Sequence, residues 1–177
     1  MSDAYAGLIR VFADGHLEVD GISYRCALGK GGTRTDKREG DGATPIGTYV
    51  LRKVHYRADK GAAPITGLPV VGTARDDGWC DDPKDPAYNR PVRLPCAASH
   101  EKMWRDDDLY NVVVEIGYND APPVPGMGSA IFMHVAKPDY QSTEGCVALR
   151  ESDLRAVLEK CGPATRIEIL SARHGDR

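Results

Sequence analysis

Two residues capable of covalent chemistry stand twelve positions apart, His134 and Cys146. His134 ends the apolar run Ile131-Phe132-Met133. Cys146 follows the polar run Ser142-Thr143-Glu144-Gly145 and precedes Val147-Ala148-Leu149. A thiolate is a strong nucleophile, and a nearby imidazole favours it by taking the thiol proton and staying as a cation. Gly145 lets the backbone approach a substrate closely, and N–H groups around a tight Gly-Cys turn can aim at a developing oxyanion. The chemistry implied is cleavage or exchange of a peptide-type bond. The same residue types also serve as a small buried thiol and a hydrogen-bonded core histidine. Spacing alone does not decide between these roles.

The elements that must position this pair are mostly strands. Residues 7–28 read as a β-meander, with Asp14-Gly15 and Asp20-Gly21 as turns between alternating runs. A strand is expected over 22–28, and the stretch 29–42 reads as a Gly-rich loop of mixed charge. Thr44 to Leu51 turns into a strand rich in β-branched and aromatic residues. Asn111–Ile116 and Ser129–Ala136 read as buried strands, the second carrying His134. One clear helix is expected over Ser152–Cys161, with Ser152 as N-cap and Leu154, Val157, Leu158 and Cys161 on one face. Gly162-Pro163 stops it, and Arg166–Leu170 closes the chain as a strand. Residues 58–109 read as irregular, a length that usually signals function or unrecognised short elements. The expected fold is mainly β: one domain over 1–177, a curved sheet or β-sandwich with one main C-terminal helix.

Composition bounds the partners. The chain has 177 residues and a net charge of −3, which gives no basic field for nucleic acid and no bias toward a membrane surface. The N-terminus has no basic region leading an apolar core of signal-peptide type. The five cysteines cannot all pair within the chain, which points to a reducing compartment. A cytoplasmic location is expected, or a periplasmic one if a leader has been removed. Composition leaves the oligomeric state open.

Two motifs carry a resemblance. Thr143, Gly145, Cys146 and Val147, with the upstream His134, resemble the active-site signature of the YkuD-type L,D-transpeptidase family (the ErfK/YbiS group). The run Thr44-Pro45-Ile46-Gly47-Thr48-Tyr49 resembles that family's T-P-x-G-T-[FY] approach to a core strand. Glu144 stands where the family usually has a second His, and Ala148 where Arg or Asn is common. The loop from His134 to Cys146 is shorter than usual. These features mark a branch with a T-E-G-C-V-A-L variant. The resemblance implies a YkuD-type catalytic domain acting on peptidoglycan stem peptides or muropeptides. In that chemistry Cys146 attacks the bond joining diaminopimelate to D-Ala, His134 protonates the departing D-Ala, and water or an amine resolves the thioester. It implies no metal and no organic cofactor. With a cytoplasmic location, water is the expected acceptor.

Other residues are candidates for holding the substrate. Thr143 and Glu144 flank the nucleophile, and Glu144 could orient His134 or meet a substrate ammonium group. Tyr118 and Asn119 could line the groove, and Trp79, with Tyr88 and Asn89, could form one wall. Arg38, beside Lys37, could fork onto a carboxylate, although a solvated loop fits these two equally. Two rivals of other classes are a zinc peptidase using Cys80, Cys96 and His100, and a muropeptide-binding module without catalysis. The zinc rival has only loose C-x15-C-x3-H spacing and lacks H-E-x-x-H or C-x-x-C.

Overall fold

Period-two alternation of apolar and polar residues builds the first hairpins. The computed structural model describes residues 4–172. Strands β1 (Leu8–Phe12), β2 (His16–Val19) and β3 (Ile22–Arg25) form the expected meander. Asp20 and Gly21 take φ of 49° and 74°, the two positive values that a tight two-residue hairpin loop requires. β3 stops at Arg25, short of the strand expected to Leu28. Beyond it the chain makes isolated bridges from Ala27 to Ala148 and from Gly29 to Thr143.

The remaining elements follow in order. β4 (Thr33–Arg34) and β5 (Thr44–Pro45) form a short parallel pair. β6 (Gly47–Tyr56) is the long strand. The segment read as irregular contains β7 (Val70–Gly72), β8 (Asp77–Cys80), β9 (Pro91–Arg93) and β10 (His100–Lys102). They are too short, and too interrupted by Asp and Pro, to show a period. Then come β11 (Val112–Ile116), β12 (Phe132–Val135), β13 (Val147–Leu149), α1 (Glu151–Glu159) and β14 (Arg166–Ile169).

The main sheet runs β13-β12-β11-β6-β14-β1-β2-β3, with β7 paired on β6, and β8 lies between β10 and β9 in a separate small sheet. The bridges beyond β3 reach back to the β13 end, so the sheet curves until it is nearly closed. Fold class therefore agrees with expectation: mainly β, with one helix.

The sheet's two faces bury different things. Val112, Val114, Met133 and Val135 point into the main core with Ile9, Leu17, Ile167 and the helix residues Leu154, Val157 and Leu158. Val113, Phe132 and Cys146 point the other way, into a second cluster with Trp79, Met103 and Tyr110. Cover on both faces explains why β11 and β12 read as nearly unbroken apolar runs. Each fully buried Leu or Val contributes roughly 1.5–3 kcal/mol. The helix departs from expectation at its start. It begins at Glu151, Arg150 holds the N-cap position without a side-chain cap, and Ser152 lies inside the first turn. β13 ends at Leu149, so the Arg150 carbonyl is already placed to accept from the Leu154 N–H at 2.9 Å.

Candidate active site

Cys146 and His134 reach one cleft because of how β12 and β13 pair. The two strands are parallel, with His134 opposite Ala148 and Met133 opposite Val147. Paired residues share a face, so His134 and Ala148 point the same way, and Cys146, one step before Val147, joins them. A cleft of about 200 Å³ is lined by Cys146, His134, Thr143, Glu144, Glu101 and Tyr110, among others.

The loop before the nucleophile is held tightly. The Thr143 hydroxyl donates to the Cys146 carbonyl at 2.7 Å and accepts from the Gly145 N–H at 3.1 Å. Gly145 has φ of 136°, and a Cβ there would sit 2.7 Å from the Ala43 carbonyl oxygen. Only glycine takes this conformation and this close approach without strain. The Gly145 N–H, an expected oxyanion donor, is thus directed at Thr143. The Thr44-Pro45 motif supports the same place, since the Thr44 hydroxyl accepts from the Gly29 N–H at 3.0 Å beside the turn.

The Cys146 thiol donates to the Ala130 carbonyl at 3.3 Å and accepts from the Phe132 N–H at 3.4 Å. Burial, with Glu101 adding to it, pushes this thiol up to about 12. His134 Nδ1 lies 2.9 Å from the Val135 carbonyl. A carbonyl only accepts, so Nδ1 carries the proton and the Nε2 lone pair is available as a base. Burial pulls the imidazole down to about 4, and the bond to Val135 only partly opposes this. Burial thus favours a neutral thiol and a neutral imidazole at rest. This departs from the expected thiolate with a cationic imidazole, because an enclosed site penalises both charges. The arrangement suits nucleophilic addition in which the thiol gives up its proton as it attacks.

The structure divides the expected substrate residues. Thr143 and Glu144 line the cleft. Glu144 is exposed and pairs with Lys30 at 2.9 Å. The partner orienting His134 is the Val135 carbonyl. Trp79, Tyr118, Asn119 and Arg38 are not among the lining residues. Trp79 is buried edge-on against Phe132, and its Nε1–H donates to Asn89 at 2.9 Å. Tyr118 packs edge-on against Tyr49. The Asn119 side chain bonds three backbone groups of residues 124–128. Arg38 donates to the Lys37 carbonyl at 3.0 Å and to the Met127 sulfur at 3.2 Å. These polar and aromatic groups hold loops, a role that composition does not distinguish from substrate contact. Cys96 lies 3.5 Å from His100, but among the described residues no three His, Cys, Asp or Glu side chains gather as a metal site.

Sequence reading passed over Glu101, Arg105 and Tyr110. The Tyr110 hydroxyl donates to Glu101 at 2.7 Å, and its ring lies 5.3 Å from that of His134. Tyr110 lies two residues ahead of the apolar β11 run, the one available hint that it is fixed in place. Glu101 and Arg105 sit in the segment without periodicity and carry no such hint.

His134 on β12 and Cys146 just ahead of β13 line one cleft of a curved, mainly β domain. The chain belongs to the YkuD family of L,D-transpeptidase catalytic domains, whose family model it matches over residues 6–169. It is similar in outline to L,D-transpeptidase 1 of Mycobacterium tuberculosis (11% identity, TM-score 0.42, 93% of this chain and 58% of that one). It is also similar to the helical cell shape determining protein Pgp2 of Campylobacter jejuni (13%, 0.47, 97% and 49%) and to an L,D-transpeptidase of Mycobacterium smegmatis (13%, 0.42, 94% and 59%). The chain thus spans 49–59% of the lengths of these three proteins. No curated protein matches it.

Proposed function

We propose that the chain is a cysteine acyltransferase that opens the bond between diaminopimelate and D-Ala in a peptidoglycan stem tetrapeptide. The observation that carries this reading is the His134–Val135 hydrogen bond, which frees Nε2 as a base in the cleft holding the Cys146 thiol. The sulfur adds to the scissile carbonyl as its proton passes to Nε2. The Cys146 backbone N–H serves the oxyanion, since Gly145 faces Thr143. Collapse breaks the C–N bond, and D-Ala leaves with the proton from His134. Water then attacks the thioester, gives its proton to Nε2 and releases the tripeptide, and the thiol regains that proton.

Water as acceptor makes this an L,D-carboxypeptidase of muropeptide recycling, with a cytoplasmic location. Support for the location is the odd number of thiols, which suits a reducing compartment. A second reading has an amine acceptor, which gives 3-3 crosslinks or D-amino acid exchange. The Glu101 carboxyl at the cleft favours it. We also place the chain in the ErfK/YbiS group, in a branch where the Glu144–Lys30 surface pair occupies the place of the second His.

Incubation with disaccharide tetrapeptide, analysed by mass spectrometry, is expected to give tripeptide and free D-Ala. Dimers and exchange products without tripeptide would sink the water reading. Activity retained in chelator but lost in Cys146→Ala excludes the zinc peptidase. A carbapenem adduct on any other cysteine overturns the choice of nucleophile.

A further inference from the structure

The Cys146 cleft shares two lining residues, Glu101 and Arg105, with a larger hollow of about 1320 Å³ bordered by Trp104, His100, Leu94 and Arg75. We propose that Glu101 and Arg105 form a subsite for the free amino-acid head of a substrate, an ammonium and a carboxylate on one carbon. The proposal rests on the acyltransferase reading and deepens it by naming what the mouth of the cleft recognises.

The geometry supports an ion-pair receptor. Glu101 stands in β10 opposite Trp79, so both side chains face the second core. Trp79 fills that core, and Glu101 ends at the cleft. Among the described residues Tyr110 is the one hydrogen-bond donor to its carboxylate, bound through Oε2. Arg105 is fixed by Asp107, which takes the Nε and Nη2 edge at 2.9 and 2.6 Å and leaves the Nη1 edge. The Arg105 guanidinium also lies 5.0 Å from the centre of the Tyr110 ring. Tyr110 thus contacts both groups, and among the described residues no direct ion pair joins Arg105 to Glu101. Burial raises the Glu101 carboxyl above its usual range, with the Tyr110 bond opposing. A carboxylate in that position gains from meeting a cation.

Two groups in the proposed reaction carry such a head. One is the far stereocentre of diaminopimelate in the donor stem. The other is a free D-amino acid arriving as acceptor. Both present the same zwitterion, and the experiment separates them.

Ligand-observed NMR on Cys146→Ala protein with free diaminopimelate or a free D-amino acid measures binding without turnover. Binding is expected for the zwitterion. It should weaken about tenfold or more for the amide or the N-acetyl derivative, and in Glu101→Gln or Arg105→Gln, because each change removes one charge-assisted bond. The Gln variant at 101 keeps an acceptor for Tyr110. Equal binding of zwitterion, amide and N-acetyl derivative, or none at all, overturns the subsite. Loss in the variants without loss of this discrimination also overturns it, since a merely structural effect acts on all ligands alike.

Turnover then separates the sources in otherwise unmodified enzyme. A tetrapeptide with lysine in place of diaminopimelate loses rate if the donor head is held. Amine-dependent product falls more than tripeptide in Glu101→Gln if the acceptor head is held. Intact binding in a protein that processes no tetrapeptide sinks the acyltransferase reading and leaves the subsite standing.

Discussion

Cys146 and Cys161 are both buried thiols, and burial pushes both up to about 12. Each also donates to a backbone carbonyl at 3.3 Å, Ala130 for Cys146 and Val157 for Cys161. By resting ionisation they are indistinguishable. They differ in their surroundings. Cys161 lies in the main core, packed with the helix against the sheet. Cys146 lies in the second cluster, accepts from the Phe132 N–H and borders a cleft that also holds His134. The contrast predicts that reactivity at Cys146 depends on an opening and a base, and not on a resting thiolate.

The largest expected effect breaks the pair apart directly. Cys146→Ala should lower tetrapeptide turnover by on the order of 10³-fold or more, because no thioester can form. Cys161→Ala should leave turnover within about twofold and cost stability of roughly 1 kcal/mol. Product analysis and chemical denaturation measure the two. Comparable loss of turnover in both variants would erase the distinction.

Next comes the base. His134→Gln should lower turnover by about 10²–10⁴-fold. With the resting imidazole held near 4 and the thiol near 12, kcat/KM should rise with pH through the acid range and then stay level across neutrality. A thiolate–imidazolium pair would instead give an alkaline limb as the imidazolium lost its proton. Alkylation by iodoacetamide provides a second check. Near neutral pH Cys146 should react no faster than an ordinary thiol, and substrate or inhibitor in the cleft should slow it further.

Stability against pH gives a smaller effect and tests what the thiols have in common. His134 falls from an ordinary 6.5 to about 4 on folding. Between those values the unfolded chain binds more protons, so stability is lost as pH falls through the window. The loss is on the order of 3 kcal/mol and should vanish in His134→Gln. At the other end Cys26, Cys146 and Cys161 all rise from 9.0 to about 12. Above pH 9 the unfolded chain releases their protons first, so stability falls as pH rises. Each thiol should contribute a similar share, the catalytic candidate no more than the other two. Denaturation midpoints of the single Ala variants from pH 7 to 10 measure these shares.

The same contrast explains what was legible in the sequence. Elements with one buried face, or two, wrote their period into the chain, so the meander, β11, β12 and the apolar side of α1 could be read directly. The nucleophile loop was legible because its geometry demands particular types: glycine at 145 and a hydroxyl at 143. Glu101, Arg105 and Tyr110 were not legible. Glu101 lies in the three-residue β10, Arg105 in the irregular stretch after it and Tyr110 just past that segment, and their meaning depends on Trp79 docking across the chain onto Phe132. That Trp79, Tyr118 and Asn119 lie outside the cleft lining has a related cause. An aromatic or amide group that secures a loop has the same composition as one that meets a ligand, and only tertiary placement separates them. The charge state expected for the Cys–His pair differs from the one burial favours, because spacing reports proximity and not burial.

The smallest expected effect is at Gly145, and it sharpens the comparison most finely. Alanine there must keep a φ of 136° and place a Cβ 2.7 Å from the Ala43 carbonyl, or move the turn. The strain should cost on the order of 2 kcal/mol. Relief by movement would pull the Gly145 N–H from Thr143 and disturb the Thr143 bond to the Cys146 carbonyl. Thr143→Ser keeps the hydroxyl and should preserve turnover, whereas Thr143→Ala removes both bonds at once. If Gly145→Ala and Thr143→Ala lower the turnover of Cys146 and leave the alkylation of denatured protein unchanged, the turn positions the thiol without altering its intrinsic chemistry. Cys161, held by a helix carbonyl far along the chain, should be unaffected in both variants. A parallel change in its native-state labelling would show that the turn secures the whole sheet and not the nucleophile alone.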